Sequence, residues 1–290
     1  MDTPRALPLI TVENDGVFIV HEDTLNFLKK QNNPIGIVSV VGLYRTGKSY
    51  LLNLLTGGGS SGFSVGSTVN ACTKGIWIWS QPSYDAEKNM YVYFMDTEGL
   101  GSTSRSSTHD SRIFAIAMLL SSYFIYNSRG VIDGQALEDL SLVASLTHVI
   151  QAKSSGDRNT GDAVGSNTSA TNFFPMFVWV LRDFTLKLED DKGKKINSNQ
   201  YLEQCLKPQT GFSEAIASKN QIRQLITDSF RERECVTLVR PAEDENVMSD
   251  IYLCACLFVC VALSAVLLCR VVCTIGTKYK IVMVSYICLL

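Results

Sequence analysis

The 290-residue chain has no surplus of positive charge: 26 Lys and Arg stand against 28 Asp and Glu, a formal net charge of −2. Three of the 26 bases, Arg270, Lys278 and Lys280, follow residue 250, where no acid occurs, so the first 250 residues set the 28 acids against 23 bases. A general nucleic-acid binder needs a basic face for phosphates; none is expected here, although a local basic pocket fits this balance. A cysteine framework is also missing. Of nine cysteines only Cys72, Cys205 and Cys235 precede residue 250, at spacings that suit neither disulfide pairing nor a zinc site. The N-terminal residues include Asp2, Pro4, Arg5 and Pro8 and lack the apolar core of a secretory signal. The final residues from Ile287 do not form a prenylation box. No internal repeat occurs. The part before residue 250 is therefore expected on the cytoplasmic, reducing side.

What is present is enough apolar material, 46% of residues, to build a substantial core. Residues 7–13 and 16–20 flank Asn14-Asp15 and predict a hairpin. Residues 21–30 predict a short helix with Leu25 and Leu28 on one face. Ile35–Val41 (IGIVSVV) is an unbroken apolar run with β-branched residues, suited to a parallel strand buried on both faces. A helix over 48–55 follows a glycine-bearing turn, and 57–66 is a Gly/Ser loop. Residues 75–80 (GIWIWS), 90–95 (MYVYFM), 177–181 (FVWVL) and 235–239 predict further strands. Residues 111–126 read as one long buried helix, interrupted too early by Ser121 and Ser122 to span a membrane. Residues 135–152 and 213–230 also read as helices, and the polar stretch 154–172 as a flexible loop. Strands alternating with helices predict an α/β fold, a mainly parallel central sheet flanked by helices, in one domain over 1–249.

Gly42-Leu43-Tyr44-Arg45-Thr46-Gly47-Lys48-Ser49 fits the P-loop pattern G-x-x-x-x-G-K-[ST], with a buried strand before it and an amphipathic helix after it. Glycines let backbone N–H groups wrap phosphates, the lysine reaches the β and γ oxygens, and the hydroxyl holds Mg²⁺ at a helix N-terminus aimed at the anion. Asp96-Thr97-Glu98-Gly99 follows the strand at 90–95, where a Walker-B acid belongs. Gly99 is placed to offer its N–H to a γ-phosphate.

The common guanine motif N-K-x-D is absent. Four stretches, GLYRTGKSYLL (42–52), TKGIWIW (73–79), DTEGLG (96–101) and VWVLRDF (178–184), together resemble the guanylate-binding proteins, interferon-induced large GTPases of the dynamin superfamily. The likeness runs in order over residues 7–241. It implies a P-loop GTPase hydrolysing GTP with Mg²⁺. It places the nucleotide on Gly42 through Tyr50, with Gly99, Arg182 and Asp183. Ser49, Thr73 and Asp96 would serve the metal, Thr73 as the switch-one threonine. Asp183 would read guanine, since it can accept from N1–H and the 2-amino group together. Arg45 would act as an internal arginine finger when two such domains meet. Lys48 would stabilise the phosphates and Glu98 would help order the attacking water. GTP-dependent homodimers, or hetero-oligomers with related GTPases, are the partners implied. A role in innate immune defence at membranes follows by the same analogy.

Two departures stand out. The family commonly has serine at position 71, where this chain has Ala71, so a hydroxyl that positions water is missing. The family's guanine cap and long helical domain do not follow position 239; Glu243 to Asp250 lead directly into an apolar tail over 250–290. An apolar sheet face is thereby expected to lose a covering helix. Ile251 to Cys269 is nineteen residues without charge, about 28 Å as a helix, and predicts a transmembrane anchor. The bases after it and the acids before it oppose the positive-inside rule, so a single tail anchor and a hairpin both stay open. Cys254, Cys256, Cys260, Cys269, Cys273 and Cys288 read as small apolar side chains, or Cys269 and Cys273 as acylation sites. Three functions are compatible with these residues: a membrane-anchored GTPase, a GTP-binding switch that does not hydrolyse, or another P-loop enzyme acting on ATP.

Overall fold

The computed structural model describes residues 3–13, 15–57, 62–65, 73–101, 107–141, 144–145 and 174–239. The flexible loop expected over 154–172, Ala71 and the apolar tail over 250–290 lie outside these residues. Among the described residues no helix is long and apolar enough to cross a membrane.

The elements are β1 (Ala6–Val12), β2 (Phe18–Val20), α1 (Glu22–Lys29), β3 (Ile35–Val41), α2 (Lys48–Thr56), β4 (Ile76–Trp79), β5 (Ser83–Asp85), β6 (Met90–Thr97), α3 (Ser107–Leu120), β7 (Tyr123–Arg129), α4 (residues 134–141), β8 (Met176–Arg182), α5 (Ser198–Leu206), α6 (Glu214–Ser229) and β9 (Arg233–Leu238). Among the described residues the strands form one nine-stranded sheet in the order β2-β1-β4-β6-β3-β7-β8-β9, with β5 also pairing with β6. The block β6-β3-β7-β8-β9 is parallel throughout. The hairpin β1-β2 and strands β4 and β5 add an antiparallel wing along β6.

Both faces of the parallel block are apolar, which is why its strands read as continuous hydrophobic runs. In β8, Phe177, Trp179 and Leu181 point to one core and Met176, Val178 and Val180 to the other. The first core takes side chains from α1, α3, α4, α5 and α6, and the second takes Leu51 and Leu52 of α2. On the second face Val178 and Val180 of β8 are buried, while Val236 and Leu238 of β9 are only partly so.

The expected helix over 111–126 is corrected by the structure. Helix α3 ends at Leu120, and Tyr123–Arg129 is a strand between β3 and β8. Ser121 Oγ turns back onto the Ala117 carbonyl, and Ser122 Oγ accepts from the Ile37 amide at 3.3 Å, so the two serines close the helix and dock the chain on β3. The aromatic and β-branched run Tyr123-Phe124-Ile125-Tyr126 favours a pleated surface. Helix α3 is itself buried on nearly every side, from Ile113 to Met118, so it shows no amphipathic stripe.

Strand β5 and helix α5 are also unexpected from the sequence. The α5 sequence, SNQYLEQCL, is largely polar, and a capping box supports it: Asn197 Oδ1 accepts from the Gln200 amide while the Gln200 side chain accepts from Asn197 N–H. Arg233 of β9 grips Glu203 of α5 through two hydrogen bonds of 2.7 Å. Cys205 and Cys235 are free thiols, and burial pushes the Cys235 thiol up to about 12.

Aromatic rings line the first core from Phe114 through Phe124 and Phe177 to Phe230. Phe177 touches three of these neighbours, including Trp179 edge-on at 5.9 Å between centroids. Phe177→Ala is expected to cost about 3–5 kcal/mol, a large share of a domain's stability of about 5–15 kcal/mol. Urea unfolding monitored by far-ultraviolet circular dichroism checks this.

Candidate functional site

Ligands of open α/β sheets bind beyond the C-terminal ends of the parallel strands. Here four such ends converge: β3 runs into Gly42, β6 ends in Asp96-Thr97, β7 in Asn127-Ser128-Arg129 and β8 in Arg182 followed by Asp183.

The P-loop joins β3 to α2 as a wrapped turn. Gly42 has φ +150, and a Cβ there would collide with the backbone oxygen of Asn127. Gly47, the N-cap of α2, has φ +79, and a Cβ would meet the Arg182 guanidinium. Arg45 also adopts a left-handed conformation, φ 58, at the exposed tip; for a residue with a Cβ this costs about 1–2 kcal/mol. The loop is held from outside. Asn127 Nδ2 donates to the Thr46 carbonyl (3.0 Å) and Thr46 Oγ1 (2.9 Å). Arg129 Nη2 donates to the Arg45 carbonyl (3.1 Å). Arg182 Nη1 donates to Gly47 O (3.2 Å), and its guanidinium lies 5.7 Å from the Tyr50 ring centroid. Tyr44 N donates to Leu100 O (2.8 Å) and Leu100 N to Gly42 O (3.1 Å), with Gly99 packed so closely on Tyr44 that a Cβ would not fit.

Lys48, buried at the base of α2, donates Nζ to the Leu43 carbonyl at 3.0 Å. Burial pulls its ammonium below the usual lysine range, while Asp96 and Glu98 act in the opposite direction. Asp96 is fully buried, and burial raises its carboxyl above the usual range against hydrogen bonds from Ser49 and the charge of Lys48. Its Oδ2 accepts from Ser49 Oγ (2.6 Å) and Thr73 Oγ1 (3.0 Å), and the two hydroxyls lie 3.3 Å apart. Among the described residues its Oδ1 is a buried acceptor with no hydrogen-bond partner. The Asp96 carboxylate and two hydroxyls form a hard-oxygen donor set, of the kind that suits Mg²⁺, Ca²⁺ or Mn²⁺. The structure thus brings together Ser49, Thr73 and Asp96, named from sequence as metal residues.

Glu98 is buried one turn of chain further on. Its Oε2 accepts from the Gly75 amide (2.9 Å) and its own N–H donates to the Gly75 carbonyl (2.7 Å). Trp77 Nε1 donates to the Lys74 carbonyl at 2.8 Å, next to Thr73. At the end of β8, Arg182 and Asp183 diverge. Arg182 points under the P-loop, whereas Asp183, in a left-handed conformation with φ 56, is partly exposed with Arg129 Nε 3.6 Å from its Oδ2.

Sequence reasoning missed Asn127, Arg129 and His109. The first two directly follow the segment read as a helix ending at Tyr126; as the end of a strand beside the P-loop strand, Asn127-Ser128-Arg129 would have been a site candidate. His109, whose Nε2 lies 3.2 Å from Glu98 Oε2, has no sequence signal, because a lone histidine is not a motif.

A glycine-wrapped strand-to-helix turn over a buried lysine and a carboxylate–hydroxyl cluster defines a P-loop nucleotide-binding protein. The chain belongs to the guanylate-binding protein family: the family model "Guanylate-binding protein, N-terminal domain" matches residues 15–253. The chain is 42% identical over 251 residues to guanylate-binding protein 6 of Pongo abelii and of Homo sapiens, covering 86% of this chain and 39% of each relative. It is 43% identical over 242 residues to guanylate-binding protein 1 of Chlorocebus aethiops, covering 83% of this chain and 40% of that one. The chain therefore spans about two fifths of the length of these curated relatives.

Asn127→Ala removes both amide bonds to Thr46 and is expected to lower the unfolding free energy by about 1–3 kcal/mol. A urea midpoint equal to wild type would show that the loop keeps its shape without that amide.

Proposed function

We propose that this protein binds GTP with Mg²⁺ and hydrolyses it to GDP and phosphate. The observation that carries this reading is the convergence of Ser49, Thr73 and Asp96 behind Lys48, with Asp183 at the end of β8 to receive the base. Ser49, Thr73 and Asp96 would hold Mg²⁺, which when bound supplies positive charge to the β and γ oxygens. The P-loop amides and Lys48 bind and orient the triphosphate. Asp183, whose carboxylate has two acceptor oxygens, accepts from guanine N1–H and the 2-amino group; adenine has no such donor pair. Glu98 orders the water that attacks the γ-phosphorus in line, as the bond to the β–γ bridging oxygen breaks. Arg45, on the exposed tip of the loop, swings onto the phosphates when a second copy or a related GTPase packs on this face, where charge develops in the transition state.

Residues 250–290 would anchor the protein in a membrane, with the nucleotide domain on the cytoplasmic side. By kinship with the guanylate-binding proteins, the setting proposed is innate immune defence. A second reading, a GTP-dependent switch that does not hydrolyse, is favoured by one observation, Ala71 at a position where the family commonly has serine.

Fluorescent-nucleotide titration and phosphate release on the full-length chain test the proposal. GTP is expected to bind in preference to ATP, and Asp183→Asn to weaken GTP by about 3 kcal/mol, roughly a hundredfold. Turnover per molecule is expected to rise with protein concentration and to fall about a thousandfold in Arg45→Ala. GTP binding without phosphate release would establish the switch, and equal displacement by ATP would overturn the guanine assignment.

A further inference from the structure

His109 has no place in the scheme above, yet it is buried against the nucleotide site. It stands in the first turn of α3, 8% exposed, and its Nε2 lies 3.2 Å from Oε2 of Glu98, which is 3% exposed. A carboxylate oxygen accepts, so this ring nitrogen is placed as the donor. The same Oε2 accepts from the Gly75 amide at 2.9 Å. Gly75 lies two residues after Thr73, and Glu98 two residues after Asp96. The carboxylate is therefore the buckle between the two chain segments that meet at the metal cluster, and the imidazole fixes its orientation. The ring is fixed in turn by Phe18 of β2, whose centroid is 5.6 Å away. The neighbouring Asp110 accepts from the Gly101 amide at 2.6 Å, so the first turn of α3 holds the segment after β6 at two points.

We propose that His109 is a positioning residue of the nucleotide site: by pinning Glu98 on the Gly75 amide, it makes the Thr73 and Asp96 segments respond together to a γ-phosphate. A residue that orients another ligand-shell group changes affinity or rate by about 10–100-fold when removed. A residue that only fills space would instead lower all nucleotide binding together. The inference rests on the GTP-binding reading, and the two fail differently.

The test uses the full-length chain and compares affinities for GTPγS and GDP, both with Mg²⁺, alongside steady-state GTP turnover. In wild type GTPγS is expected to bind more tightly than GDP. His109→Ala is expected to keep GDP affinity within about twofold and to shrink the GTPγS advantage about tenfold. Where wild type turns GTP over, His109→Ala should lower kcat about tenfold at nearly constant KM. His109→Gln, whose amide nitrogen can replace Nε2–H, should restore most of both quantities. In a Glu98→Ala background, His109→Ala should have no further effect, because the two residues act as one unit. An unchanged GTPγS advantage in His109→Ala overturns the proposal, as does a parallel loss of GDP binding. Equal affinities for GTPγS and GDP in wild type overturn it while leaving GTP binding intact. A wild type that binds neither nucleotide overturns both readings at once.

Discussion

The Asp96 carboxylate has no exposed surface, and a carboxylate taken out of water needs replacement hydrogen bonds and charge. Two hydroxyls on Oδ2, the nearby Thr97 amide and the Lys48 ammonium supply only part of what hydration gave it, and among the described residues Oδ1 has no hydrogen-bond partner. The position of Asp96 follows from the sheet. Strand β6 pairs in parallel with the P-loop strand β3, with Asp96 opposite Val40, so the acid emerges beneath α2. The rest of the site depends on this placement. Lys48 is buried because Asp96 and Glu98 offset the cost of its charge, and Ser49 and Thr73 face inward because Oδ2 accepts from both.

The P-loop is shaped as much by its neighbours as by its own glycines. Side chains from the ends of β7 and β8 donate to the carbonyls of Arg45, Thr46 and Gly47. Asn127, Arg129 and Arg182 thereby satisfy carbonyls that the turn leaves without a helical partner. Arg182 and Asp183, adjacent in sequence, thus part ways: one braces the loop, and the other stands at a partly exposed edge beside Arg129. The left-handed backbone at Asp183 separates their directions.

Much of this was legible before the structure. The run Ile35–Val41 predicted its strand to the residue, because a parallel strand buried on both faces leaves no polar break. The P-loop and the acid at the end of β6 were legible because phosphate chemistry fixes residue types at fixed spacing. The segment from Ser111 to Tyr126 was not. From Ile113 onward helix α3 is apolar all round, and it runs into an apolar strand with only two serines between, so periodicity carries no signal at the junction. That error hid Asn127 and Arg129. Helix α5 was missed for the opposite reason, since its face is mostly polar, although Asn197 and Gln200 spelled a capping box. His109 was beyond sequence reasoning, because its meaning comes from α3 packing beside the end of β6.

The hydrogen bond from the Trp77 indole to the Lys74 carbonyl has an experimental consequence. Trp79 and Trp179 are buried in the two cores, whereas Trp77 is only half-buried and tethered next to Thr73. A rearrangement of the Thr73–Lys74 backbone changes the polarity around this ring first, because its tether is the Lys74 carbonyl. The protein therefore carries an intrinsic optical probe of the Thr73–Lys74 segment, readable as a shift in emission without a label.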